Sequence, residues 1–225
     1  MSEFDPAELY TPPPGAPHQT VEWLESYVVV QSMQFMIDCL PMIRKLLFGK
    51  QRRETVTVLD VGTGTGAGAN LLATLYQSDF LGPRLKVDAL ELAPHLKGYA
   101  QAKFPLVNYI VGDVLTWGNP GPWDIVICSH TLEHTEDPEG FVFHLAGLAK
   151  LWALFYTPWK ERELIPGHLA RIDRHFLERV GSKLHEVIES PAWFRIHERA
   201  RCVAFAVPGY SPLDAPPVFP NPETP

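Results

Sequence analysis

Residues 58–68 read Val-Leu-Asp-Val-Gly-Thr-Gly-Thr-Gly-Ala-Gly, so Asp60 stands two residues ahead of a G-x-G-x-G run. Glycines at alternate positions, Gly62, Gly64 and Gly66 with Thr63 among them, let the main chain turn tightly and come close to a ligand at a helix N-terminus. Further along, Val-Asp-Ala-Leu-Glu-Leu places a carboxylate, Glu91, where two hydroxyls of a ribose find acceptors. Gly112-Asp113-Val114 and Cys128-Ser129-His130 follow. One histidine here is a candidate for moving a proton, His130. An imidazole titrating near pH 6.5 suits a general base at neutral pH. Together these residues describe a site for a nucleoside-bearing ligand with proton transfer beside it.

Each candidate falls where a strand is expected to end. Val56 to Val61, Leu85 to Leu90, Tyr109 to Val111, Ile125 to Cys128 and Leu154 to Tyr156 are short apolar runs separated by helix-length stretches. Continuous rather than alternating apolar strands imply a parallel sheet covered on both faces. The expected fold is therefore α/β, a doubly wound, mostly parallel seven-stranded sheet, the last two strands near His185 to Ile188 and Cys202 to Val207. Helices are expected over Ala67 to Tyr76, after the cap and first-turn proline of Asp137-Pro138, and near Asp173 to Val180. A helical preface starts at Thr20 and carries Val21, Leu24, Tyr27, Val28, Phe35, Met36 and Leu40 on helical spacing; Pro41 is expected to kink or break it. Trp23 and Tyr27 on that preface fit core packing better than a lid, and Trp152, Tyr156 and Trp159 fit packing or an apolar acceptor pocket.

Proline gathers at the two ends, so 1–18 and 208–225 are expected to be extended tails flanking one domain over 19–207. At 225 residues, 46% hydrophobic and 20% charged, the chain has the composition of an ordinary globular domain. Its net charge of -7 disfavours nucleic acid as a partner, because non-specific affinity for phosphate backbones comes from clustered Lys and Arg. A small-molecule or sugar acceptor fits better, with peptide or protein second. The apolar stretch around Val28 to Leu47 is interrupted by Gln31, Ser32, Gln34, Asp38, Arg44 and Lys45, so no membrane span is expected. Cys39, Cys128 and Cys202 are isolated among apolar neighbours, and Met-Ser-Glu-Phe-Asp lacks the features of a signal peptide; both point to the cytoplasm.

With the glycine turn, Glu91, Gly112-Asp113 and Ser129-His-Thr-Leu-Glu-His-Thr-Glu-Asp-Pro138 in order, residues 56–158 resemble the class I S-adenosylmethionine-dependent methyltransferases, especially the ubiquinone/menaquinone-biosynthesis-like group. The resemblance implies S-adenosylmethionine as cofactor. It assigns Asp60 and the turn Gly62, Thr63, Gly64 and Gly66 to the methionine end and Glu91 to the ribose. Leu92 would lie against the adenine, Asp113 and Val114 would read its amine, and Ser129 and His130 would border the sulfonium. Similar methyltransferases carry a Gly-His segment facing the acceptor, which draws attention to His168. The family's Lys-Pro-Gly-Gly turn before strand five is absent here, and nothing beyond Pro158 identifies the acceptor.

Other chemistries compete. Gly62-x-Gly64-x-x-Ala67 also satisfies a dinucleotide fingerprint, but Glu91 lies 29 positions beyond Gly62, whereas that motif places its acidic residue about 20 on. A binding module without catalysis would keep the same turn. His130-Thr-Leu-Glu-His134 matches H-x-x-E-H, a zinc motif that needs both histidines on one helical face; here they precede the helix at Asp137-Pro138. With no acidic trio toward the acceptor side, no metal ligand is assigned, and His134 is read as a residue that holds the loop.

Overall fold

The computed structural model describes residues 9–118, 121–193 and 201–209. Seven strands form one sheet: β1 (Thr55–Val61), β2 (Arg84–Glu91), β3 (Asn108–Val111), β4 (Trp123–Ser129), β5 (Ala149–Pro158), β6 (Leu184–Glu189) and β7 (Arg201–Pro208). Their order is β3-β2-β1-β4-β5-β7-β6. The first five are parallel; β7 runs antiparallel to both β5 and β6. The chain reverses direction across the sheet between β1 and β4, which puts their carboxyl ends at a topological switch point, the place where open α/β sheets bind ligands.

Side chains alternate across β1. Val56 and Val58 enter one core with α2 (Val30–Leu46), α3 (Ala67–Leu75) and α4 (Lys97–Lys103), while Leu59 and Val61 enter a second core with α5 (Pro138–Leu148) and α6 (Arg174–Arg179). Period-two geometry therefore sends Asp60 to the α2 face. On that face Phe35, Met36, Cys39, Met42, Ile43 and Leu46 are buried at spacings of three and four residues. Each such side chain contributes on the order of 1.5–3 kcal/mol by leaving water.

The preface is helical from α1 (Val21–Trp23), where Thr20 caps the Trp23 amide, through a π-helical turn (Leu24–Val29) and on into α2. Of the expected kink or break at Pro41, the break does not occur: α2 runs through it. The carbonyl that loses its i+4 donor belongs to Ile37, which is 45% exposed and so can be solvated. Asp137 caps α5 through the Gly140 amide, as the Asp-Pro pair implies. Within the expected N-terminal tail, Tyr10 is buried, edge-on to Tyr99 at 6.2 Å. Of the expected C-terminal tail, all beyond residue 209 lies outside the described residues. Among the described residues, no helix is long and apolar enough to cross a membrane.

Candidate cofactor and active site

The glycine turn leaves β1 at Val61 and is clasped from two neighbouring strands. Gly62 and Thr63 donate their amides to Leu90 O at 2.9 and 3.2 Å, at the end of β2. Glu91 Oε2 accepts from the Gly64 amide at 2.7 Å and its Oε1 from the Ala93 amide at 3.0 Å. From β3, Tyr109 Oη donates to Gly64 O at 2.6 Å. Gly62 has a φ of +71° and its missing Cβ would collide with Thr131 Oγ1, so neither the backbone nor the space admits a side chain. At Gly64 a Cβ would meet nothing within 4 Å, because that side of the turn opens into a cavity.

Asp60, Gly62, Thr63, Gly64, Ser129 and His130 line that cavity from below, and Val28, Gln31, Ser32, Phe35 and Met36 roof it. Asp60 is 5% exposed and accepts from Thr63 Oγ1 at 2.7 Å. Burial pushes its carboxyl up to about 7; the Thr63 hydrogen bond opposes this and the Glu91 charge adds to it. Ser129 Oγ is buried and has no hydrogen-bond partner among the described residues. A hydroxyl in that state, beside a half-neutral carboxyl and bare backbone, is what a polar ligand completes.

The remaining cofactor candidates lie along the adjoining edge of the sheet, outside the cavity. Glu91 pairs in register with Val111, and Gly112 donates to Glu91 O at 3.0 Å, so Asp113 follows close to the Glu91 end. Leu92 is 68% exposed, an uncommitted apolar surface beside Glu91. Asp113 Oδ1 accepts from the Leu115 amide, and Val114 O accepts from His144 Nε2. The ten cofactor candidates thus form a continuous track along the carboxyl ends of β1 to β4.

The two histidines part company. His130 lines the cavity, with a φ of +49°, its ring stacked on Phe35 at 3.7 Å and its Nδ1 3.0 Å from Glu133 Oε1. Glu133 is 1% exposed and also accepts from Thr157 Oγ1. Burial is the largest single influence on the Glu133 carboxyl and would raise it, but the charge and hydrogen bond of His130, a backbone hydrogen bond and the His134 charge together hold it below the usual range. His168 is not among the lining residues; it is buried against Glu161 Oε2 at 2.8 Å and stands edge-on to His134. Trp23 and Tyr27 stack on each other at 5.8 Å and are not among the lining residues either.

The sequence reading missed the roof, although Val28, Gln31, Ser32, Phe35 and Met36 share one face of a helix by their spacing. Gly68 carries the signal that could have found it. A Cβ there would stand 2.7 Å from Ser32 O, so α2 approaches α3 as closely as glycine allows.

Residues 58–149 match the family model described as a methyltransferase domain. The match covers less than half of the chain.

Over 141 residues the chain is 28% identical to ajmaline N-methyltransferase from Rauvolfia serpentina, covering 61% of this chain and 46% of that protein. The chain thus spans about half the length of this curated relative. An S-adenosylmethionine-dependent methyltransferase from Aquifex aeolicus superposes with a TM-score of 0.52 at 19% identity, covering 91% of this chain and 99% of that one. Magnesium protoporphyrin IX methyltransferase from Synechocystis, solved with S-adenosylhomocysteine bound, gives a TM-score of 0.54 at 20% identity, covering 80% and 83%.

Proposed function

We propose that the chain transfers the methyl group of S-adenosylmethionine to an oxygen or nitrogen of a small-molecule or sugar acceptor. One observation carries this reading: a roofed cavity at the switch point, floored by Asp60, Gly62, Gly64 and Ser129, with a buried hydroxyl that lacks a partner among the described residues. The cofactor supplies an activated carbon. The residues here bind, align and exclude water, which is most of what such a transfer requires. Asp60 and the turn hold the methionine end, Glu91 the ribose, Leu92 with Asp113 and Val114 the adenine. Phe35 and Met36 close the cavity from solvent. His130, oriented through Nδ1 by Glu133, has Nε2 3.7 Å from the buried Cys202 thiol; once turned from that contact toward the cavity, its neutral ring accepts the proton that the attacking group releases.

The N-methylation named for the Rauvolfia relative supports a nitrogen acceptor. The net charge supports an acceptor other than nucleic acid, leaving peptide or protein as the second class. Three free buried cysteines fit a cytoplasmic protein.

Calorimetric titration with S-adenosylhomocysteine, and then with NADH, tests the reading. Micromolar binding of the first alone is expected, and Glu91→Ala should weaken it about 30-fold to 1000-fold, or about 2–4 kcal/mol. Binding of NADH in its place would make the chain a dinucleotide protein, and normal affinity in Glu91→Ala would remove the ribose assignment.

A further inference from the structure

Outside the cofactor cavity, two segments bring three metal-ligand side chains together. Glu133 and His134 belong to a 3-10 turn (Leu132–His134) after β4, and His168 to the loop after β5. One ligand atom from each lies within 4.8 Å of the other two. The segments are fastened to each other: Leu169 and Ala170 donate their amides to Glu133 O at 2.7 and 3.2 Å, and His134 Nδ1 meets Gly167 O at 2.9 Å. This is not the H-x-x-E-H pairing weighed from sequence. His130 is engaged with Glu133, and His168, 34 positions beyond His134, supplies the second imidazole.

The hydrogen bonds fix the tautomers. A carbonyl and a carboxylate only accept, so Nδ1 of His134, on Gly167 O, and Nδ1 of His168, on Glu161 Oε2, each carry a proton. A neutral ring then has its lone pair on Nε2. Metal-bound histidines are held in this way, with the far nitrogen donating to a carbonyl or carboxylate. The two rings stand 5.0 Å apart at 86°.

Charge points the same way. Two carboxylates stand at this cluster, each on an imidazole: buried Glu133 on His130 and half-buried Glu161 on His168. Glu161 Oε1 is buried without a hydrogen-bond partner among the described residues, so the polar cluster around His168 is incomplete. A dication balances the carboxylates and finishes the network.

We propose that Glu133, His134 and His168 bind one divalent transition-metal ion, zinc by their donor set of two imidazoles and a carboxylate. That set is used in open sites, where water or an oxygen of an incoming molecule takes the fourth position. Tetrahedral bonds of about 2.1 Å separate ligand atoms by about 3.4 Å, so the site must contract by about an ångström on binding. His134, exposed on a short turn, can make that movement. The proposal does not depend on methyl transfer.

Untagged protein stripped with a chelator and desalted should take up one equivalent of Zn2+ in competition with a chromophoric chelator, at micromolar affinity or tighter. His134→Asn and His168→Asn should each weaken uptake by at least about 100-fold. Co2+ in place of zinc should give the visible absorption of a four-coordinate nitrogen–oxygen site, and lose it in both variants. S-adenosylhomocysteine binding retained by His134→Asn reports an intact fold, and a failure of that titration in the wild type would count against the cofactor reading alone. Wild-type uptake no tighter than that of either variant would overturn the metal site, as would stoichiometric uptake that survives both substitutions.

Discussion

Asp60 is the cavity residue on which burial acts most directly, and pH exposes it. Its carboxyl, lifted by burial from an ordinary value of 3.8 to about 7, holds a proton in the native state that the unfolded chain has already lost. Below about pH 4 both states are protonated and this carboxyl costs the fold nothing. As pH rises from about 4 to 7 the native state alone retains the proton, so stability falls, and it levels off above 7. A three-unit shift is worth at most about 4 kcal/mol. Asp60→Asn keeps an acceptor for Thr63 and removes the penalty. It should therefore be more stable than wild type at pH 8, by up to about 4 kcal/mol, and nearly equal at pH 4. Urea denaturation at the two pH values measures this; an equal difference at both would mean Asp60 is ionised throughout. Asp60, Glu91 and Ser129 were legible as residues because glycine punctuation and strand ends mark them. Their energetics were not, since no spacing reveals that Ser129 Oγ is orphaned or that Glu133 lies under His130.

At the scale of elements, the junction of α2 and α3 decides whether the cavity has a roof. Gly68 donates its amide to Ser32 Oγ at 3.2 Å and sits beneath the Ser32 carbonyl and Met36. A methyl at Gly68 forces the helices apart. Gly68→Ala should lose about 1–3 kcal/mol of stability by overpacking and, by lifting the roof, about tenfold in S-adenosylhomocysteine affinity. Denaturant midpoints and calorimetry together check this; unchanged affinity would separate the roof from binding. The strands were readable because parallel strands buried on both faces leave unbroken apolar runs. The passage of α2 through Pro41 was not, because it depends on the exposure of one carbonyl. Neither was the roof, because an apolar helical stripe looks the same over a cavity as over a core.

For the molecule as a whole, the domain reaches further toward the N-terminus than proline content suggested. Tyr10, 6% exposed, packs with Tyr99 and His95 on the α4 side, so one aromatic anchors a stretch otherwise rich in proline and glycine. Deleting residues 1–18, or Tyr10→Ala alone, should cost about 2–4 kcal/mol, by analogy with other large-to-small core changes. A denaturation midpoint unmoved by either change would return the segment to the status of a tail. Composition reports only that a segment cannot build a core of its own; a single side chain docking on a core built elsewhere leaves no compositional trace.

Asp38 in α2 accepts from Tyr156 Oη and Ser190 Oγ, 118 and 152 positions away. A ribosome makes the roof helix well before either anchor. The floor of the cavity, complete by His130, is also made before them, so the roof is fastened at Asp38 only after the surface it covers exists. Whatever stabilisation a nucleoside ligand confers on the fastened roof falls on that later stage of folding.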